Sequence, residues 1–299
     1  MTRRQLQIAL GLLWLLAGLL QTQRFMFTSG FATQIIAPPG QGQPGFVSGP
    51  VHWLSTVIAG HPVIANIPFA AVQLLLGAGL LVRGTARVAL AGSIAWALGV
   101  WYFGESLSGM ASGHASLLVG APGAALLYAI LAAAAWPHAD PAREAPARWL
   151  PLAWAAVWVG GAVFQVLPGQ STGAALAGSM TTGTTGAPGW LVDLSSSAGG
   201  WAAHHGPLTV TALVVLQVAV GAGALVRATR VPAAIFGLAL ALDFWVVGQH
   251  LGGLYSGQAT DPNTGPVLAL MAVTLLAVAE RPEAAPRRVR PHAAVAHPA

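Results

Sequence analysis

Eight apolar runs constrain this chain before any other feature does. A helix that crosses a bilayer needs about 20 predominantly apolar residues, somewhat fewer where flanking side chains reach the interface. Runs of this kind fall at Leu6–Leu20, Pro62–Val82, Val88–Phe103, Leu117–Trp136, Leu150–Val166, Pro207–Val226, Val231–Val247 and Gly265–Ala279. Gly-, Pro- and Ser-rich or Arg-bearing segments separate them, as turns between buried helices require. Of the 299 residues 55% are hydrophobic and 7% charged, against about 25% charged in a soluble domain. That excludes a soluble globular enzyme. The absence of Cys excludes disulfides, thiolate metal sites and thiol redox chemistry. The expected fold is all-α, a polytopic integral membrane protein of eight transmembrane helices. The run after Arg3 and Arg4 reads as a span and not as a secretory signal, because no small-residue cleavage pattern precedes Gln21.

The runs repeat. Residues 144 positions apart match without a gap over most of the chain: Trp14 and Gln21 with Trp158 and Gln165, His61 with His205, Gln73 with Gln217, Gly77-Ala78-Gly79 with Gly221-Ala222-Gly223, Arg83 with Arg227, Trp101 with Trp245, Gly104, Gly109 and Gly113 with Gly248, Gly253 and Gly257, and Pro122 with Pro266. From Gln73 to Ala115 there are 19 identities in 43 positions, where this composition gives roughly one in ten by chance. The pattern reads as a tandem duplication: a first four-helix repeat at 1–136, a cytoplasmic linker at 137–149, a second repeat at 150–279 and a disordered cytoplasmic tail at 280–299. Four spans per copy is an even number, so the two repeats should be parallel and related by an axis along the membrane normal.

Arginine placement orients the chain, since basic residues are retained on the cytoplasmic side. Arg3, Arg4, Arg83, Arg87, Arg143, Arg148, Arg227, Arg230, Arg281, Arg287, Arg288 and Arg290 fall on one side of the eight runs, and Arg24 alone falls on the other. Both termini are therefore expected to be cytoplasmic, in the inner membrane of a bacterial cell, with the lipid bilayer as the first partner. Because the arginines sit at span ends and not on one soluble face, the net charge of +5 implies no nucleic-acid partner.

The chemistry gathers on the other side. His52, His61, His114, His204, His205 and His250 fall there with Glu105, Asp193 and Asp261. Asp243 lies inside a span, where a carboxylate costs several kcal/mol unless paired, hydrated or neutral. At i+7, His250 falls on the same helical face, and the two could form a short proton path. Glu105 stands opposite Gln249 and His114 opposite Gln258, so the halves are unequally equipped. His61 and His205, at corresponding positions, could share a ligand with Glu105, His114 or His250 as third partner, so Cu or Zn stands as an alternative to an organic cofactor. No HxxxH or HExxH spacing supports the metal. Each half also carries a segment of about 40 residues after its first span, longer than ordinary connections. Trp53 in one and Trp201 in the other mark short interfacial helices, either a cover for the bundle or a lid over a ligand pocket. No Walker pattern is present, so ATP-driven work is not expected.

One segment carries a family resemblance: Gln73-Leu-Leu-Leu-Gly77-Ala-Gly79-Leu80-Leu81-Val82-Arg83-Gly84-Thr85-Ala86-Arg87, loosely repeated from Gln217 to Arg230. Each half resembles a DoxX/DoxD-type four-helix membrane unit, which often has Glu at the position of Gln73. The resemblance implies a membrane redox subunit that faces a quinone or a small substrate at the outer leaflet, with a membrane or periplasmic redox partner. In that setting Asp243, His250 and Glu105 are the proton-transfer candidates, and His61, His205, Trp53, Trp201 and His114 the substrate-binding ones. Two other classes compete: a transporter or metal handler not driven by ATP, and a scaffold subunit without chemistry.

Overall fold

The structure, a computed structural model, describes residues 1–137 and 145–279. The described residues form eleven α-helices and no strand: α1 (Arg3–Leu20), α2 (Gly45–Gly60), α3 (Pro62–Leu81), α4 (Ala86–Gly99), α5 (Ala124–Ala134), α6 (Leu150–Gln165), α7 (Gly173–Thr181), α8 (Gly189–His204), α9 (Gly206–Gly223), α10 (Arg230–Val247) and α11 (Thr264–Ala279). Each apolar run contains a helix. Four are long and apolar enough to cross a membrane, at Pro62–Leu81, Ala86–Gly104, Gly206–Gly223 and Arg230–Val247, while Ala124–Ala134, Leu150–Gln165 and Thr264–Val278 are apolar but shorter. The run at Leu117–Trp136 departs most from expectation. Gly120 (φ 112°), Pro122 and Gly123 (φ 107°) break its first part into turns, so only Ala124–Ala134 is α-helical. The expected tail at 280–299 and residues 138–144 of the expected linker, with Arg143, lie outside the described residues.

Local chemistry explains the element ends. Thr2 and Gln5 form a reciprocal capping box at the start of α1. The Arg4 guanidinium then reaches across to the carbonyls of Leu80 and Leu81 at the end of α3, where the helix dipole favours a cation. The ends of α1 and α3 that carry Arg3, Arg4 and Arg83 therefore lie together. At the C-terminus of α9, Arg230 donates to Ala224 O over 2.8 Å.

The two long outer segments are ordered and helical. In α8, Trp190, Leu194 and Trp201 lie on the exposed face, and Leu191, Ser195, Gly199 and Ala202 on the buried one. α2 has the same two-sided character, and its buried Val47, Val51 and Ile58 join Met26, Phe31 and Ile36 in a small core of their own. The main core unites both halves, from Leu127 and Tyr128 of α5 to Trp154 and Trp158 of α6 and Leu268 and Met271 of α11. Large aliphatic side chains such as Ile64, Leu75, Val88, Leu152, Leu208 and Ile235 are exposed around the outside. A surface of that kind fits a lipid bilayer and not water.

α8, α9 and α10 begin 144 residues after α2, α3 and α4 respectively. The crossing of α1 on α3 depends on Gly77: a Cβ there would stand 2.8 Å from both Gly11 O and Leu15 N. Backbone cannot yield as a flexible side chain can, so this small-residue contact sets the distance between the helices. Gly77→Val should destabilise the protein by about 1–3 kcal/mol, read as a lowered Tm in lipid nanodiscs. Gly60→Ala, where a Cβ meets no atom within 4 Å, should leave Tm nearly unchanged.

Candidate functional site

The site is built on a turn that both halves make at the end of the bundle away from Arg4. α4 passes through a π-turn at Val100–Gly104 and reaches Glu105. Ser106, Leu107, Ser108 and Gly109 then take left-handed backbone with φ 50°, 54°, 50° and 77°. In the second half Gln249 is followed by His250, Leu251, Gly252 and Gly253 at φ 48°, 56°, 66° and 65°. Non-glycine residues rarely adopt that conformation, and such strain persists only where surrounding structure imposes it.

The residue before each turn caps the last helix of its half. Glu105 Oε1 accepts from Ala125 N over 3.0 Å, and Gln249 Oε1 accepts from Gly265 N over 2.9 Å. A tryptophan fixes the preceding loop in both: Trp101 Nε1 donates to Pro122 O over 2.7 Å, and Trp245 Nε1 to Pro262 O over 2.8 Å. At Gly123, with φ 107°, a Cβ would collide with Glu105 Oε2, so the carboxyl approaches the helix only because no side chain stands there. The structural task is thus done by a carboxyl in one half and an amide in the other.

Glu105 faces a cavity of about 320 Å³ lined by α1–α5 and by Thr260 and Asp261 from the loop before α11. The walls are mostly apolar and include the aromatic rings of Trp14, Phe69, Trp96, Phe103 and Tyr128. Asp261 is held by its own loop: Oδ1 accepts from Asn263 N over 2.6 Å and Oδ2 from Thr260 Oγ1 over 2.9 Å. That is the turn chemistry expected of an Asp-Pro-Asn segment. Burial, and then the nearby Asp261 charge, raise the Glu105 carboxyl from its ordinary 4.5 to about 8, against the opposing hydrogen bonds of Ala125 N and Ser108. Burial also raises Asp261. Three polar atoms in the cavity wall have no hydrogen-bond partner: Tyr128 Oη, Trp96 Nε1 and Gln73 Oε1. Tyr128 is 2% exposed and Gln73 8%.

Residues 144 positions on fill the corresponding space differently. Where the first half has Leu10, Ser93 and Val100, the second has Trp154, Gly237 and Phe244. The Trp154 ring occupies the place where a Gly237 Cβ would stand. Trp158 packs against both Trp154, at 5.4 Å between ring centroids, and Phe244, at 6.1 Å. All three are fully buried. Gln217 repeats the unpartnered amide oxygen, but Leu240 and Gln249 stand where the first half has Trp96 and Glu105, and Leu268, 140 positions on, stands where it has Tyr128.

Of the residues singled out from sequence, the cavity collects Glu105 and Trp53, the latter 62% exposed on α2. Asp243 and His250 do not share a face. α10 ends at Val247, and the left-handed turn carries His250 into a buried position where its Nε2 donates to Met180 O over 2.9 Å, whereas Asp243 lies on the exposed side of α10. His61 is an exposed link between α2 and α3. His205 is exposed and stacks on Trp201 at 3.8 Å. His114 is exposed, and its carbonyl accepts from Gln170. Among the described residues no group of three His, Asp or Glu side chains is placed to hold a metal ion, so His61, His205 and His250 are not assembled with a third ligand. Sequence reasoning passes over Tyr128 and Trp96 and reads Gln73 only as a motif position. Their signal is present in the sequence as polar side chains within apolar runs.

A carboxyl raised by folding binds a proton that the unfolded chain has released. Its contribution to stability is full below pH 4.5 and is lost as pH rises toward about 8. Glu105→Gln should remove this part of the fall in Tm between pH 5 and 8 while keeping the cap, as Gln249 does. Glu105→Ala should cost about 1–2 kcal/mol through the lost cap. Thermal unfolding of the three proteins across that range checks both outcomes. Compared with protein-family models, curated proteins and solved structures, the chain matches none.

Proposed function

We propose that this chain is a DoxX/DoxD-like membrane subunit of a redox system and that its first-half cavity faces a quinone head group, or a small substrate of that shape, near the outer leaflet. In this reading the eight helix-bearing runs all serve as spans of two parallel four-helix repeats. Both termini lie in the cytoplasm of a bacterial cell, and the cavity opens on the side away from the arginines. The recurrence of helices and left-handed turns at a spacing of 144 supports the two-repeat arrangement.

The observation that carries the functional reading is the difference between the halves: an open aromatic cavity in one, Trp154, Trp158 and Phe244 packed in the other. The quinone comes from the family resemblance, and the residues fit it. Aromatic walls suit a planar ring, and Trp96 Nε1–H and Tyr128 Oη–H are donors without partners, as ring oxygens need. A bound quinone would supply electron acceptance, with electrons from a membrane or periplasmic partner. The chain's own part is to hold the ring between Trp14, Phe69 and Phe103, to exclude water beneath α2, and to keep a proton at Glu105. With its carboxyl raised to about 8, Glu105 can both hold and release that proton near neutrality.

Tetramethyl-1,4-benzoquinone titrated into the protein in nanodiscs should bind saturably, one per chain, by isothermal titration calorimetry. Trp96→Phe and Tyr128→Phe should each weaken it roughly 5- to 10-fold, the worth of one hydrogen bond. Tyr128→Phe should at the same time leave Tm unchanged or raise it, since it removes a buried hydroxyl that has no partner. Saturable binding that is equally strong in both variants would contradict the reading.

A further inference from the structure

The two halves differ in where they place charge. Their helix starts correspond at an offset of 140: the caps pair Ala125 with Gly265, and the tryptophan bridges pair Pro122 with Pro262. Asp261, in the loop before α11, therefore stands where the loop before α5 has Ala121, and Glu105 stands where the second half has Gln249. Both carboxyl residues line the first-half cavity, and both keep some accessible surface. One of them is contributed by the other half of the chain. The charge of the two outer loops is thus gathered on the half that has the open space.

No positive group stands with them. The cavity lining includes no Arg and no His, and the chain has no Lys. The two carboxyls are near enough for the Asp261 charge to help hold a proton on Glu105. Acids gathered in an apolar space lose hydration and repel each other, and a cation placed beside them offsets both effects. The existing hydrogen bonds, from Ala125 N to Glu105 and from Asn263 N and Thr260 to Asp261, serve the turns and supply no positive charge.

The rest of the lining indicates the kind of cation. A metal ion needs several oxygen or nitrogen ligands at short range, and among the described residues no group of three His, Asp or Glu side chains is placed to hold one. The cavity offers aliphatic side chains and aromatic rings instead, with Trp53 at its exposed edge. Aromatic faces attract ammonium groups, most strongly where water is excluded, and the apolar walls suit substituents on the nitrogen. Two acceptors in lining residues, Gln73 Oε1 and Tyr128 Oη, have no partner although their side chains are more than nine-tenths buried. Unpaired oxygens of this kind add negative character and repel no cation.

We infer that the first-half cavity binds a small organic cation, a substituted ammonium ion, with its nitrogen toward Glu105 and Asp261 and its alkyl or aryl groups against the apolar walls. The inference goes beyond the quinone reading and does not rest on it. The two ligands share the walls and use Glu105 in different states, the ring with the proton present and the ammonium ion with it released.

The experiment uses the full-length protein in phosphatidylcholine nanodiscs at about pH 8.5, where Glu105 is free to ionise. Equilibrium dialysis compares benzyltrimethylammonium with neopentylbenzene, its neutral isostere, after subtraction of uptake by empty nanodiscs. The cation should bind saturably, one per chain, and about tenfold or more tightly than the isostere. Glu105→Gln keeps the cap, as Gln249 does, and should lower the cation-to-neutral ratio about tenfold. Asp261→Asn keeps an Oδ1 for Asn263 N and should lower it in the same direction, which provides a second readout should Glu105→Gln fold poorly. Equal affinities for the two probes in the wild type, or a ratio unchanged in these variants, would overturn the inference. The quinone titration is read on a neutral probe, so the two readings fail separately.

Discussion

The start of a buried helix leaves amide N–H groups that its own turns cannot satisfy, and in an apolar surrounding each one left unpaired costs several kcal/mol. α5 and α11 both begin inside the protein, and the architecture depends on how their first amides are met. In each half the chain solves this with a left-handed turn that places one side chain, Glu105 or Gln249, against the helix start. A tryptophan bridge from Trp101 or Trp245 to a proline carbonyl holds the loop in place. The two solutions are also joined to each other, since the Thr264 hydroxyl at the start of α11 donates to Gly120 O in the loop before α5. Once α5 and α11 are anchored, they can occupy the centre of the shared core, with the remaining helices packed around them.

The two halves differ in what fills the space between their helices. Phe244 packs on Trp158 in the second half, while Val100, 144 positions before it, lines the cavity in the first. α2 closes that room from outside. It is held by its own small core and by the Tyr102 hydroxyl, which donates to Phe46 O, and it brings Trp53 and Leu54 to the cavity. Buried polar atoms without a partner occur in both halves, with Trp158 Nε1, Gln217 Oε1 and Gln249 Nε2 in the second, whereas at the paired cap position the first half has the Glu105 carboxyl and the second the Gln249 amide.

Much of this organisation is legible in the amino-acid sequence. Apolar run lengths locate a helix in every run, because burial or lipid contact leaves backbone hydrogen bonding no better solution. The offset of 144 locates the paired turns, and comparison of the halves singles out Glu105. The Asp243–His250 pairing fails because helical periodicity, extended beyond Val247, runs past a left-handed turn whose non-glycine residues His250 and Leu251 carry no turn signature. Tyr128 and Trp96 escape notice for another reason. After the turn the register between the halves changes: Glu105 caps Ala125, but Gln249 caps Gly265, an offset of 140 and not 144. A gapless comparison sets Tyr128 against Ala272, whereas its structural counterpart is Leu268. Cavities, moreover, arise from side chains absent from a space, and a single sequence does not display absence.

The central claim is that the first half holds a small molecule in the space that aromatics fill in the second. Native mass spectrometry of protein extracted gently from its own membrane tests this directly, with wild type beside Val100→Phe, which places in the first half the side chain found at Phe244. The account predicts a stoichiometric small-molecule adduct on the wild type and its loss in Val100→Phe at unchanged stability. A bare wild-type chain, or an adduct equally abundant in the variant, would contradict it.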